Sequence, residues 1–231
     1  MADALKILGA GAAQSVIGGV AAECACAIDA EYGGVHAMAA RVASGEAADV
    51  IVLTRDLVDD LAEAGALFAD TRHDVGSVET GLAVRAGTPP PDVATLAALK
   101  AAFLHASVII HPDAAVATAG RSLLQALHAL GIGERLQPRL VACASGAAAA
   151  QRVAAGRGGE LGVMQVTEVL AHRGLVLAGT FPAPLGRDTV YCAAVSSQSR
   201  QPEAARAFIR RLVGSRTLLR SAGFSPPSSG R

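Results

Sequence analysis

The chain has 231 residues, of which 52% are hydrophobic and 17% charged, and its 20 basic and 20 acidic side chains balance. This is enough material for one or two packed domains, and the balanced charge and the 3% aromatic content argue against a nucleic-acid-binding surface. No stretch has the uninterrupted apolar length of a membrane span, so we expect a protein that is not embedded in a membrane.

The first seven residues lack the basic region, apolar core and cleavage site of a secretory signal peptide. We therefore expect a cytoplasmic protein if Met1 is the native start, and a periplasmic one if a signal peptide has been removed.

Four cysteines are present, and none has a histidine at the spacing of a zinc site. They are interpreted as small buried thiols, and we expect neither a metal nor another cofactor. They are Cys24, Cys26, Cys143 and Cys192.

In the first part of the chain, apolar stretches typical of strands alternate with amphipathic stretches typical of helices. This βαβαβα order favours a parallel sheet with helices on both faces. The predicted strands are 5–8, 25–32 and 50–53, and the predicted helices are 14–22, 36–44 and a third from residue 56.

An extended strand is expected at 75–85, and after it a helix at 95–104 that Asp92 or Thr95 can cap. A second α/β block follows, and after it another extended strand at 190–195. The predicted strands of that block are 108–110, 140–143, 161–163 and 175–177, and its helices are 118–130, 147–155 and 165–170. Helices at 202–213 and 215–222 and a disordered tail at 226–231 close the chain.

Two α/β blocks joined by two extended strands predict a two-lobed α/β protein with mixed sheets and two hinge crossovers. The predicted first lobe comprises 1–82 and 193–231, and the second comprises 83–192. Proteins with two hinged lobes hold their ligand between the lobes.

Candidate ligand-binding residues of the first block follow strand ends, where helix starts attract anions. They are Gly11, Ala12, His36 and Arg55. His36 is either an anion donor or, in an enzyme, a general base, and the alternative is a surface histidine at a helix cap.

Arg55 can clamp a carboxylate with its planar guanidinium, or it can form a salt bridge with Asp56 or Asp59.

In the second block, Thr118 and Ser145 stand at helix starts and are either ligand donors or plain N-caps. Gln165 follows a strand and can donate an amide hydrogen bond. On the second crossover, Tyr191 can close over a ligand or be a buried structural tyrosine.

Segments 5–12, 41–50, 159–165 and 202–209 resemble the type II periplasmic-binding-protein fold, in its molybdate-binding-protein-like branch. The resemblance covers nearly the whole chain. It implies a solute-binding protein that holds a small anion between its lobes and that delivers it to an ABC transporter permease if the protein is exported.

Oxyanion-binding members of that branch have Ser or Thr in the first strand–helix turn, where this chain has Ala12, and a Ser-rich turn where this chain has Gly33-Gly34-Val35-His36. The resemblance therefore also admits a larger carboxylate ligand. Some relatives are similar to aconitate isomerase, which implies an alternative function: isomerisation of an unsaturated carboxylate by proton transfer, with His36 as the base.

Overall fold

The computed structural model describes residues 4–24 and 26–227. The chain divides into two compact units, the first comprising Met1–Val78 with Val190–Arg231 and the second Glu79–Thr189. The predicted lobe boundaries lie a few residues later in the chain than these divisions.

The described residues form ten strands. They are β1 (Leu5–Ala10), β2 (Ile28–Gly33), β3 (Val50–Thr54), β4 (His73–Val78), β5 (Thr80–Arg85), β6 (Val108–Pro112), β7 (Leu140–Cys143), β8 (Glu160–Gln165), β9 (Leu175–Thr180) and β10 (Thr189–Val195).

Ten α-helices accompany these strands in the same part of the chain. They are α1 (Gln14–Ala22), α2 (Val35–Ala43), α3 (Arg55–Glu63), α4 (Leu96–His105), α5 (Thr118–Ala129), α6 (Gly133–Leu136), α7 (Gly146–Ala154), α8 (Val166–Leu170), α9 (Pro202–Gly214) and α10 (Arg216–Ser221).

The first unit is built on a sheet with the strand order β2-β1-β3-β10-β4. Strand β1 pairs parallel to both β2 and β3, whereas β10 pairs antiparallel to β3. The β-branched and leucine side chains of β3 are fully buried from Val50 to Leu53, as expected for a central strand covered on both faces.

The second unit is built on a sheet with the order β7-β6-β8-β5-β9. Strand β6 pairs parallel to β7 and β8, and β5 pairs antiparallel to β8 and β9. One face of this sheet packs on a core that includes Phe103 and Leu123, and the other face on a core that includes Ala149 and Val169.

The predicted extended strand at 75–85 is two strands. Glu79 interrupts it, so that β4 joins the sheet of the first unit and β5 that of the second. The carbonyl of Glu79 accepts a hydrogen bond from Val166 N (3.0 Å), one position beyond the pairing of Thr80 with Gln165. Alternation of side chains cannot reveal such a break, because it continues through both strands.

The predicted strand at 25–32 begins only at Ile28, and Ala25 lies outside the described residues. Cys24 and Cys26 therefore precede the strand, and the prediction of a buried thiol is wrong for the exposed Cys26. It is confirmed for Cys192, where burial raises the pKa of the thiol to about 12.

Several local predictions concern chain ends and caps. Thr95 caps α4 by accepting a hydrogen bond from Ala98 N (3.1 Å), as one of the two expected caps. Residues 228–231 of the predicted disordered tail lie outside the described part of the chain. No helix of the described ranges combines the length and apolarity needed to cross a membrane.

Asp49 links three segments of the first unit. It is only 7% exposed, and its Oδ2 accepts a hydrogen bond from Lys6 N in β1 (2.9 Å). Its Oδ1 accepts one from Ser199 Oγ (2.7 Å) and its carbonyl one from Ser196 N (3.0 Å), both in the segment that follows β10. The side chain and carbonyl of Asp49 therefore hold the start of β3 between β1 and the segment that follows β10.

We expect Asp49→Ala to lower the free energy of unfolding by about 2–3 kcal/mol, because the Lys6 N–H and the Ser199 hydroxyl, in two partly buried hydrogen bonds, each lose their acceptor. Urea unfolding followed by circular dichroism measures this change. The matched control is Asp29→Ala, which removes an exposed aspartate of the same sheet. An equal, small loss in both variants would contradict the role given to Asp49.

Candidate functional site

In the first unit, the three parallel strands end at one edge of the sheet. Ala10 at the end of β1 lies beside Gly33 at the end of β2, and β3 runs in the same direction to Thr54. The edge is followed by a 3₁₀ turn (Gly11–Ala13) and by the first turns of α2 and α3. The structure thus brings Gly11, Ala12, His36 and Arg55 to the same edge, as predicted.

The helical segments at this edge begin without side-chain caps. Neither Ala10 before the 3₁₀ turn, nor Gly34 before α2, nor Thr54 before α3 makes a side-chain cap hydrogen bond. Helix starts without side-chain caps can bind water or an anion through their first-turn N–H groups. Because the side chain of Ala12 is a buried methyl group, any ligand contact at this position is made by the backbone.

Arg55 is held by an internal carboxylate. Its Nε donates to Asp74 Oδ1 (3.0 Å) and its Nη2 to Asp74 Oδ2, which makes a two-pronged ion pair between the start of α3 and β4. Arg55 therefore forms a salt bridge, as one of the two alternatives predicted. Its partner is Asp74, however, and not the predicted Asp56 or Asp59. Asp74 therefore already occupies the Nε–Nη2 side of the guanidinium and offsets its charge.

Tyr191 lies deep in the first unit. Its side chain is 1% exposed, and its ring packs edge-to-face on Phe224 with centroids 5.9 Å apart. It pairs with Thr54 across β10 and β3, so its backbone is at the strand-end edge. The placement of its ring favours the buried structural tyrosine over a group that closes on a ligand.

The second unit repeats the same arrangement. Strands β6 and β8 are parallel and end at Pro112 and Gln165, and antiparallel β5 begins at this edge because Thr80 pairs with Gln165. Helices α5, α7 and α8 all begin near these strand ends. Thr118, Ser145 and Gln165 therefore belong to one edge of one sheet.

Thr118 and Ser145 differ in what their hydroxyl groups do. Ser145 is the N-cap of α7 and accepts a hydrogen bond from Ala148 N (3.1 Å), as in the N-cap alternative. For Thr118 that alternative is wrong, because Ala117 holds the N-cap position and Thr118 is the first residue of α5. Gly120 allows the first turn of α5 to lie close to the end of β6, since a Cβ at this position would lie 2.2 Å from Pro112 O.

Buried hydroxyl groups at this edge make no hydrogen bond to the described residues. They are those of Thr80, Thr118 and Thr167. Gln165 is itself buried, and its Nε2 reaches Thr189 Oγ1 only at 3.5 Å. Since an unpaired buried hydroxyl costs about 1–3 kcal/mol, these groups are candidate donors to a ligand. Thr80 and Thr167 were missed in the sequence because neither stands at a helix cap or in a motif.

Glu168 is an acid at this edge that was not among the candidate residues predicted from the sequence. Its Oε2 accepts a hydrogen bond from Gln165 N (3.1 Å) at the start of α8. The carboxyl group lies directly over Gly146, the first residue of α7, where an added Cβ would be 2.0 Å from Oε2 and 2.1 Å from Oε1. Burial raises the pKa of Glu168 to about 7, against the opposing effect of the Gln165 N–H.

The sequence offered one signal for Glu168, the three-residue spacing from Gln165 that is typical of a capping box. The contact with Gly146 joins two helices and is visible only in the fold. Within the described ranges, no three His, Cys, Asp or Glu side chains are grouped so that they could hold a metal ion.

We expect Gly146→Ala to destabilise the fold by about 1–3 kcal/mol, because its Cβ would occupy the space of the Glu168 carboxyl group. In a Glu168→Ala background the same change should be neutral or stabilising by up to about 1 kcal/mol, since alanine is the better helix former. Denaturant unfolding of the four variants of this cycle measures both effects.

The control for this cycle is Gly18→Ala, at an exposed helical glycine of α1 that has open space around it. This change should stabilise in either background. Equal effects of Gly146→Ala with and without Glu168 would show that the two residues are not in contact.

Comparisons with known proteins agree with this architecture. A periplasmic molybdate-binding protein from Azotobacter vinelandii superposes with a TM-score of 0.78 at 19% identity, over 97% of this chain and 100% of that one. A sulfate-binding protein from Mycobacterium tuberculosis H37Rv superposes with a TM-score of 0.75 at 18% identity, over 99% and 88% of the two chains. These likenesses confirm the predicted α/β fold of the type II periplasmic-binding-protein class.

A curated relative, an aconitate isomerase from Pseudomonas sp., is 30% identical over 173 residues, which are 75% of this chain. The match spans 64% of the length of that relative. The sequence pattern of a bacterial extracellular solute-binding protein family matches residues 10–225, which is nearly the whole chain. The protein therefore belongs to the bacterial extracellular solute-binding protein family.

Proposed function

We propose that this protein binds a small anion, either an inorganic oxyanion or an organic carboxylate. The observation that carries the proposal is the edge of the first unit, where three helical segments begin without side-chain caps after parallel strands. Such starts present N–H groups and a partial positive charge to whatever lies in front of them.

The second unit supports the proposal with neutral donors. The hydroxyl groups of Thr80 and Thr118 are buried at the strand-end edge without a hydrogen-bond partner among the described residues. A bound anion can accept from such hydroxyls, and the cost of leaving them unpaired is then removed.

Cations contribute less than the sequence suggested. The guanidinium of Arg55 is neutralised by Asp74, so an anion bound near α3 meets a paired arginine and not a free one. Backbone N–H groups, hydroxyls and the imidazole of His36 are therefore the main proposed ligand contacts, with Ser145, Gln165 and the backbone of Gly11 and Ala12 among them.

The family match and the named relatives support two biological settings for such binding. If the protein is exported, it delivers its anion to an ABC transporter permease, and in the cytoplasm it acts as a carrier or sensor. Cell fractionation followed by immunoblotting distinguishes the settings, and a protein found only in the cytoplasmic fraction would remove the transporter role.

To test the proposed function, we would titrate the protein with molybdate, sulfate and trans-aconitate by calorimetry and record its melting temperature with each. A ligand that binds only the folded state raises the melting temperature. Thr118→Val should weaken binding about tenfold by removing one donor, while leaving the free protein as stable or more stable, because that donor is unpaired.

Thr217→Val serves as the matched control, since it changes an exposed threonine of α10 in the first unit. It should leave anion affinity unchanged. If no anion of a broader oxyanion and carboxylate panel raised the melting temperature, the proposed function would be wrong.

A second candidate function, isomerisation of an unsaturated carboxylate, is favoured by the aconitate isomerase relative. In this reaction a base removes a proton from one carbon and returns it at the far end of the allylic system, so no co-reactant is needed. His36, the second residue of α2, lies at the strand-end edge and is the proposed base.

NMR of trans-aconitate incubated with the protein in deuterated water tests this function. The expected result is formation of the cis isomer with deuterium incorporation, lost about 100-fold or more in His36→Gln. The control His73→Gln alters an exposed histidine at the start of β4 and should not change the rate. Binding of trans-aconitate without isomerisation would leave the protein as a binding protein only.

A further inference from the structure

We infer that Glu168 sets the pH range in which the anion binds, because its carboxyl group must carry a proton when the anion is present. In this role the neutral acid donates a hydrogen bond to the anion, whereas the charged carboxylate repels it. The inference rests on the proposed function and deepens it by naming a group that regulates the same site.

The position of Glu168 is the first support. Its carboxyl group lies over Gly146 and beside the N-cap Ser145, and it is bonded to the backbone of Gln165. These are the starts of α7 and α8 at the strand-end edge of the second unit. An anion drawn to the start of α7 therefore meets this carboxyl group.

Two buried hydroxyl groups at the same strand-end edge make no hydrogen bond to the described residues. One is that of Thr167, the neighbour of Glu168 on α8. The same is true of Thr80, which pairs with Gln165 across β5 and β8. The strand-end edge at which Glu168 lies thus carries neutral donors, as a site for an anion requires.

No cation offsets the charge of Glu168. In the described part of the chain, no lysine or arginine forms a salt bridge with it. The titratable side chains on the elements that pack against α7 and α8 are Arg85 on β5, His111 on β6, Cys143 on β7, Arg152 on α7 and Glu160 on β8.

Most of these side chains lie away from the carboxyl group. Arg85 and Glu160 are at the far ends of β5 and β8 from Thr80 and Gln165, and Arg152 is in the last turn of α7. His111 is buried with its Nδ1 2.9 Å from Pro112 O. Cys143 is at the same strand-end edge, and its thiol is free.

Burial without a counter-charge raises the pKa of Glu168 to about 7. Below that value the group is a neutral donor, and above it the group is an anion. The affinity for an anion of constant charge should therefore be high on the acidic side and fall as pH rises through about 7.

The test is calorimetric titration with sulfate and with trans-aconitate, whose charges are constant from about pH 6.5 to about pH 8.5. Whichever of the two binds should bind the unchanged protein about 25-fold more weakly at the upper end of this range than at the lower end, since a group with a pKa of about 7 must take up one proton. In Glu168→Gln, which keeps a neutral donor of the same shape, affinity should be high and independent of pH.

His111→Gln is the control for the buried histidine on β6, and it should keep the pH dependence. A second measurement needs no variant: titrations in two buffers of different ionisation enthalpy should show uptake of close to one proton per anion at about pH 8. Uptake of no proton would overturn the role of Glu168 even if Glu168→Gln fails to fold.

Anion binding that is independent of pH and takes up no proton would overturn the role of Glu168 and leave the proposed function standing. A pH dependence that survived in Glu168→Gln would overturn it as well. Absence of binding by any anion at every pH would instead overturn the proposed function itself.

Discussion

The structure depends on a geometric constraint: strands paired in parallel must end at the same edge of a sheet. Hydrogen bonding of β1 to β2 and β3 fixes where each strand stops, and the chain can return only through a helix that begins at that edge. The starts of helices that are distant in sequence are thereby gathered in one place. In both units this is where the candidate residues lie.

Internal carboxylates modify what this arrangement can bind. Asp74 occupies the guanidinium of Arg55, and Glu168 occupies the start of α7. Each places a negative charge, or a group that can become negative, where an anion would otherwise be attracted. The remaining donors are mainly neutral, so affinity depends on the geometry of N–H and hydroxyl groups more than on net charge.

Two glycines allow these contacts for steric reasons. At Gly120 the first turn of α5 approaches the carbonyl of Pro112, and at Gly146 the first turn of α7 receives the carboxyl group of Glu168. Neither glycine needs a left-handed backbone. A Cβ at Gly120 would meet backbone atoms of Pro112 and Ala114, whereas one at Gly146 would displace the carboxyl group of Glu168. The two helix starts thus come closer to other parts of the second unit than any larger residue would permit.

The sequence alone determined the α/β alternation, the division into two blocks and the placing of Gly11, Ala12, His36, Arg55, Thr118, Ser145 and Gln165 at strand ends, because these follow from local periodicity and from helix-start chemistry. The folded structure was needed to show that Asp74 pairs with Arg55, that Tyr191 is buried against Phe224, and that Glu168 lies on Gly146. These contacts join residues from different strands and helices, and their energies depend on burial and distance, which no pattern along the chain records.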